Sequence, residues 1–258
     1  MENSFYNYPL LIKQLLISPL SSNPEQEIVD NENQRYDYKR LNNNIHTLAN
    51  ALREIGTKKG DTIGIMAWDT IRYLEFFFAI PMIGAILHTI NIRLSEQQIL
   101  YTINHADDDV LIVHHDFIEV INRIKKKFSR PIKIILLNSN ENNLNDNYTY
   151  LYEDFIKNKK SKFKFEDFNE NTTATKFYTT GTTGDPKGVS YSHRQLIIHT
   201  LGFIAGSSVS NFSHRFHNED VYMPLTPMFH VHGWGFPYMA TLLGCLLYTS
   251  DAADDGIR

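Results

Sequence analysis

Residues Tyr178–Gly188 read YTTGTTGDPKG. Four threonines, three glycines and one lysine surround a single proline. This is the composition of a loop that holds phosphates. Glycine lets backbone N–H groups approach an anion closely. Threonine hydroxyls add donors, and Lys187 adds a full positive charge. The order is not that of a Walker loop, GxxxxGK[ST], because Pro186 precedes Lys187 and Gly188 follows it. A conventional P-loop kinase or ATPase is excluded on that spacing. The plain alternative is an ordinary Gly/Thr turn with an exposed lysine.

Working outward, Ala174–Thr180 reads as a strand entering the loop, and Gly188–Ser192 as a partner strand leaving it. Ser192 and Gln195 have capping-box spacing and open a helix through Leu196, His199 and Phe203. Val221–Thr226 reads as a further strand that delivers Pro227–Tyr238, PMFHVHGWGFPY. Ligands of open α/β sheets gather beyond the carboxyl ends of strands. Both motifs follow strands, so one site can draw on both.

These two motifs, in this order, resemble those of the adenylate-forming (AMP-dependent synthetase/ligase) superfamily, which includes acyl-CoA synthetases, luciferases and peptide-synthetase adenylation domains. The tryptophan of the second is similar to that of medium- and long-chain fatty acyl-CoA ligases. A weaker similarity runs from about Tyr36 to Gly244. The resemblance implies the N-terminal part of an acyl-CoA synthetase large domain, with layered α/β subdomains and mostly parallel sheets. It implies two steps: a carboxylate attacks ATP to give an acyl-adenylate, and coenzyme A then displaces AMP. Thr179, Thr180, Thr182 and Thr183 are expected to donate to the phosphates, with Thr182 also placing Mg²⁺. Gly181, Gly184 and Gly188 are expected to let the loop close and open, and Lys187 to pair with the departing phosphate oxygens. His230 is expected to orient groups near the acyl-adenylate. Trp234 is expected to gate an acyl tunnel, with Gly233 and Gly235 leaving room beside the indole. The alternative for Trp234 and Phe236 is that they are core aromatics. His230 and His232 stand two apart but have no companion cysteine or carboxylate cluster, which argues against a metal there. The implied partners are a fatty acid, ATP and CoA, and a homodimer of the full-length enzyme is compatible with the resemblance. An aryl or short-chain acid ligase is the nearest rival, and a catalytically dead nucleotide-binding piece is another. The family's later motifs are not in this sequence, so the polypeptide as written is expected to be inactive.

Upstream, strand and helix patterns alternate, which predicts a parallel α/β sheet. Leu10–Ile17 reads as a short helix and Glu27–Tyr38 as a hairpin turning at Asp30-Asn31. Leu41, Ile45, Leu48, Leu52 and Ile55 form a helical stripe ended by Gly56. Thr62–Ala67 is a strand, and Asp69 is placed to cap the helix bearing Leu74, Phe77 and Phe78. Ser95 and Gln98 form a capping box for a helix ending near His105. Val110–Val113 and Ile132–Leu137 are strands, with a helix between them at Phe117–Phe128. Asp107, Asp108 and Asp109 read as a capping, solvated turn. Asn138–Asn147 is a polar loop, and Lys157–Lys164 a basic linker with a solvated face. His193 is expected at a helix start, and His214 and His217 in a polar loop.

The chain has 258 residues and a net charge of −4, too mild for bulk binding to nucleic acid. Met1–Tyr8 lacks a signal-peptide pattern, and the apolar run Phe76–Leu87 is too short to cross a bilayer. A cytoplasmic protein without a transmembrane segment is expected. The single Cys245 excludes an internal disulfide. From Cys245 the text reads CLLYTSDAAD, which looks like a translated transposon adapter from DNA library preparation; a real strand followed by an acidic loop is the alternative. The expected division is 1–171 as one α/β subdomain, 172–244 as the start of a nucleotide-binding subdomain, and 245–258 as a non-native tail.

Overall fold

A computed structural model describes residues 8–30, 35–137, 148–179, 184–209 and 215–249. The chain opens with a 3₁₀ turn and helix α1 (Ile17–Ser22), where one short helix was expected. Strands β1 (Glu27–Val29) and β2 (Arg35–Asp37) pair antiparallel as the expected hairpin; Asn31 of its expected turn lies outside the described residues. Asp37 caps helix α2 (Tyr38–Glu54) by accepting the Arg40 N–H at 2.7 Å. At its other end Gly56 stands at φ 90°, the Gly56 N–H reaches Arg53 and the Thr57 N–H reaches Leu52. That is the Schellman pattern, which requires a residue free to adopt a left-handed conformation.

Strand β3 (Thr62–Met66), helix α3 (Ile71–Met82) and strand β4 (Ile86–Thr89) follow, then helix α4 (Glu96–Ala106) and strand β5 (Asp108–His114). The Ser95–Gln98 capping box of α4 is present. The expected helix at 117–128 is shorter: α5 (Ile118–Ile124) lies between two 3₁₀ turns, the second made of Lys125–Lys127. Strand β6 (Lys133–Leu137), strand β7 (Tyr150–Leu151) and helix α6 (Tyr152–Ile156) come next, with the expected loop 138–147 outside the described residues. In the basic linker Lys157, Lys160, Lys162 and Lys164 are exposed, while Lys159 is half-buried and pairs with Glu54 at 2.5 Å. Asn50 Nδ2 ties the linker down by donating to the carbonyls of Lys160 and Lys162.

Strand β8 (Thr173–Thr179), strand β9 (Lys187–Ser192) and helix α7 (His193–Val209) complete a seven-stranded sheet of order β7-β6-β5-β3-β4-β8-β9. Its pairs are parallel except β8 with β9. β8 lies beyond the expected boundary at 171 and joins the same sheet through β4. A second sheet of order β10-β11-β1-β2 uses β10 (Val221–Tyr222) and β11 (Leu246–Tyr248), with helix α8 (Phe236–Leu243) between them in sequence. The strand expected over 221–226 stops after Tyr222, because Pro224 has no N–H to give to a ladder. β11 falls inside the adapter-like stretch and pairs with β1 and β10, while residues 250–258 lie outside the described region.

The sheet separates two cores. Along β5, Val110 and Ile112 face one core with α2 and α3, while Leu111 and Val113 face the other with α4 and α5. This is the period of two expected of a strand buried on both faces. α3 is buried from Tyr73 to Met82, so it is apolar around most of its circumference. Its Glu75 is fully buried and bonded to Asn44, Arg72 and Tyr152 at 2.7, 3.2 and 3.4 Å. Burial raises the Glu75 carboxyl, and Arg72 opposes that shift.

Two readings are corrected here. Thr70, not Asp69, caps α3 by accepting the Tyr73 N–H. Asp69 instead turns to the second motif and accepts the Met228 N–H at 2.7 Å. Of the three aspartates, Asp107 does end α4, at φ 57°, but Asp108 is not solvated: it is fully buried and bonded to His88 Nδ1 at 2.9 Å. Burial raises the Asp108 carboxyl, and His88 beside it draws it back down. His88 is on β4 and Asp108 on β5, with β3 between them. The contact crosses β3 at Gly64, which is in register with His88. A Cβ on Gly64 would stand 2.8 Å from Asp108 Oδ2 and 2.6 Å from Leu111 Cδ2. His193 does begin α7, but it is buried, and its Nδ1 accepts the Ile12 N–H at 3.2 Å. Burial lowers that imidazole to about 4, leaving it neutral and able to accept.

Candidate functional site

The first motif is a β-hairpin. β8 ends at Thr179, in register with Lys187, and Tyr178 is in register with Gly188. Thr179 is half-buried and the Lys187 side chain is exposed. Thr180, Gly181, Thr182 and Thr183 lie outside the described residues. Gly184 has φ 98° and open space where a Cβ would stand. Gly188 has a packing reason as well: a Cβ there would meet the Tyr178 ring at 3.2 Å. The Tyr178 hydroxyl shares a 2.8 Å hydrogen bond with His105 Nδ1 on α4, and its ring lies 5.2 Å from that of His88. Burial, with Asp108 nearby, raises the Tyr178 phenol, which stays protonated. The base of the hairpin is therefore fixed from beneath, and Gly184, Asp185 and Lys187 are exposed.

The second motif is cradled by strand ends. Asp69, just after β3, holds the Met228 N–H, and Thr89 at the end of β4 donates to the Phe229 carbonyl at 3.1 Å. Phe177, near the end of β8, meets the His232 ring edge-on at 5.0 Å. The second motif is thus seated against the end of β4 and against β8 one residue before the first motif begins. His230 is exposed, and its N–H donates to the Pro227 carbonyl at 2.9 Å. Trp234 is 63% exposed, so it is not a core aromatic. Phe236 is half-buried and stacks on Tyr222 at 6.0 Å. Gly233 is buried against Pro237. His217 is exposed as expected, and His214 lies outside the described residues.

The backbone between these side chains is strained. Val231, His232 and Trp234 have φ of 49°, 55° and 59°, and Gly233 and Gly235 have 54° and 76°. A left-handed conformation costs a residue with a side chain about 1–2 kcal/mol, and a β-branched residue is the least suited to it. Such strain persists only where the surroundings impose it. Here the Gly233 N–H reaches the His230 carbonyl at 3.0 Å, and His199 Nε2 of α7 meets the Trp234 carbonyl at 3.2 Å. Burial, with a smaller contribution from His88, lowers the His232 imidazole to about 3, so it is neutral. Asp69, Thr89, His199 and the role of His232 had no local signal in the sequence. Each acts on a partner far along the chain.

Among the described residues, one cavity of about 580 Å³ is lined by Glu54, Tyr150, Asp154 and Lys159, among others, and by none of the expected site residues. One cluster, His114, His115 and Asp116 at the end of β5, could hold a metal ion. Two imidazoles and a carboxylate do not suit Mg²⁺, which prefers oxygen. No helix among the described residues is long and apolar enough to cross a membrane.

The model of the AMP-binding enzyme family matches residues 20–256. The chain is 37% identical over 211 residues to a medium-chain-fatty-acid–CoA ligase of Ectopseudomonas oleovorans, covering 81% of this chain and 38% of that protein. It is 33% identical over 250 residues to a 3-methylmercaptopropionyl-CoA ligase of Ruegeria lacuscaerulensis, covering 95% of this chain and 46% of that one. The chain thus spans less than half the length of these relatives. Its fold is that of an anthranilate CoA ligase solved with anthranoyl-AMP, with a TM-score of 0.86 at 19% identity over 99% of this chain and 48% of that one.

Proposed function

The chain belongs to the AMP-binding enzyme family, and from that premise we propose that its protein is an ATP-dependent acid–thiol ligase acting on medium- or long-chain fatty acids. In the first step a carboxylate oxygen bonds to the α-phosphorus of ATP, the bond to the bridging oxygen breaks, and pyrophosphate leaves. In the second, the thiol of CoA attacks the acyl carbonyl and AMP leaves. An anion must approach a polyanion, so charge neutralisation and positioning are the main tasks. Lys187 and the threonines of the hairpin take the phosphates, with Thr179 at its rim. Mg²⁺, when bound, adds neutralising charge, and Thr182 is the expected protein oxygen beside it. His230 faces the reacting carboxylate, and Trp234 controls entry of the alkyl chain.

The observation that carries this reading is the seating of the second motif against the strand that enters the first, through Phe177–His232, and against the end of β4, through Thr89–Phe229. The fatty-acid assignment is supported by the exposed Trp234 between two glycines and by the relative from Ectopseudomonas. The relative from Ruegeria keeps a short thioether acid as the rival. The test is exchange of labelled pyrophosphate into ATP by the full-length protein with octanoate, palmitate, 3-methylmercaptopropionate and benzoate. Octanoate or palmitate is expected to support the fastest exchange. Fastest exchange with benzoate or the thioether acid sinks the fatty-acid assignment, and no exchange with any acid sinks the ligase. Trp234→Ala is expected to change the octanoate-to-palmitate ratio by about tenfold, the lower end of the range of one pocket contact. An unchanged ratio removes Trp234 as a gate.

A further inference from the structure

His232 lies between the two exposed residues of the second motif, yet points the other way. Its side chain is 2% exposed and is flanked edge-on by Phe77 at 5.7 Å and Phe177 at 5.0 Å. Neither ring nitrogen has a hydrogen-bond partner among the described residues. Packing alone does not explain an imidazole here, since an aliphatic side chain would leave no polar atoms unsatisfied. The backbone does not explain it either, since glycine and asparagine adopt the left-handed region more readily. The ring does connect two things. It ties the strained turn to α3 through Phe77 and to β8 through Phe177, two residues before Thr179.

We propose that His232 is a positioning residue for the acid: its buried ring pins the left-handed turn against Phe77 and Phe177, and so fixes where His230 and Trp234 stand. The inference rests on the ligase reading above and adds to it a residue that sets acid affinity without touching the phosphates. His230 and Trp234 sit on either side of the peg, each two residues from it, so loosening the peg moves both. The phosphate hairpin has its own support, Tyr178 on His105, and keeps its geometry when the peg is lost.

The test uses the full-length protein and three substitutions. His232→Gly keeps the turn's backbone accessible and removes the ring. His232→Leu keeps apolar bulk but resists the left-handed conformation. His232→Asn keeps a polar side chain at a residue type suited to that conformation. KM for octanoate is expected to rise at least tenfold in the Gly and Leu variants, with KM for ATP within twofold of wild type. The Asn variant suits the backbone but has no ring to meet Phe77 and Phe177, so its KM for octanoate is expected to rise as in the Gly variant; an Asn variant within twofold of wild type overturns the role of the ring. Either the Gly or the Leu variant suffices if the other does not fold, and a thermal melt identifies which is folded. A folded Gly or Leu variant with unchanged octanoate KM overturns the inference and leaves the ligase reading intact. Equal rises in the KM for octanoate and ATP also overturn it, because they mark a general structural loss. Wild-type protein inactive with every acid overturns the ligase reading first, and the inference with it.

Discussion

Gly64→Ala is expected to destabilise the protein by about 3 kcal/mol, although it adds only one methyl group. The added Cβ would lie 2.6 Å from Leu111 Cδ2, 2.8 Å from Asp108 Oδ2 and 3.0 Å from Ile90 Cδ1. Overpacking a tight core costs about 1–3 kcal/mol by itself. The Asp108 carboxylate cannot move aside cheaply, because His88 holds both of its oxygens at 3.0 and 2.9 Å in a site closed to water. Separating a buried pair leaves each partner desolvated and costs about 3–5 kcal/mol. The site relaxes by whichever route is cheaper, which is overpacking, and three contacts at or below 3.0 Å put the loss at the upper end of that range. Urea unfolding of the full-length protein, wild type against variant, measures it. A loss under about 0.5 kcal/mol would falsify the view that the His88–Asp108 contact needs an open lane across β3.

That lane also shows what a single sequence conceals. The helices α2, α3, α4 and α7 were legible because their signals are local. Ser95 and Gln98 cap within one turn, and Leu41, Ile45, Leu48 and Leu52 repeat on one face. The order of the sheet was not legible, and neither was anything that depended on it. Three aspartates in a row read as a solvated turn, because nothing near Asp108 in sequence announces a histidine two strands away. Asp69 was read as a cap for the same reason. It has the right residue type one position before the true cap, and its actual partner, Met228, is far along the chain.

The candidate site divides along the same line. Its motifs were readable from composition and resemblance, down to the hairpin that turns between Thr179 and Lys187. Its supports were not. Tyr178 on His105, Thr89 on Phe229 and His199 on Trp234 are contacts between distant segments, and they decide how the motif residues stand. The left-handed turn is the clearest case. Gly233 and Gly235 suggested free space beside an indole, whereas the backbone puts residues with side chains in the same unfavourable region around them. The exposed Trp234 and the buried His232 are products of that turn.

Lys187→Ala is expected to slow pyrophosphate exchange about 10- to 150-fold without lowering the melting temperature. Lys187 is exposed at the first position of β9, and its backbone pairs with Thr179 whatever its side chain. Surface substitutions of this kind usually change stability by no more than about 0.5 kcal/mol. The activity effect follows from charge. A charge-assisted hydrogen bond to the leaving pyrophosphate is worth about 1.5–3 kcal/mol, and each 1.36 kcal/mol is about tenfold in rate. Lys187→Arg is expected to recover only part of the loss, because a planar guanidinium presents its donors differently from a compact ammonium. Exchange measured with saturating octanoate and varied ATP separates the outcomes. A fall in maximal rate places the lysine on the transferring phosphates, and a rise in the KM for ATP alone makes it a binding contact. Wild-type rates in the alanine variant would take Lys187 out of the chemistry and leave the hairpin as a turn with a solvated lysine.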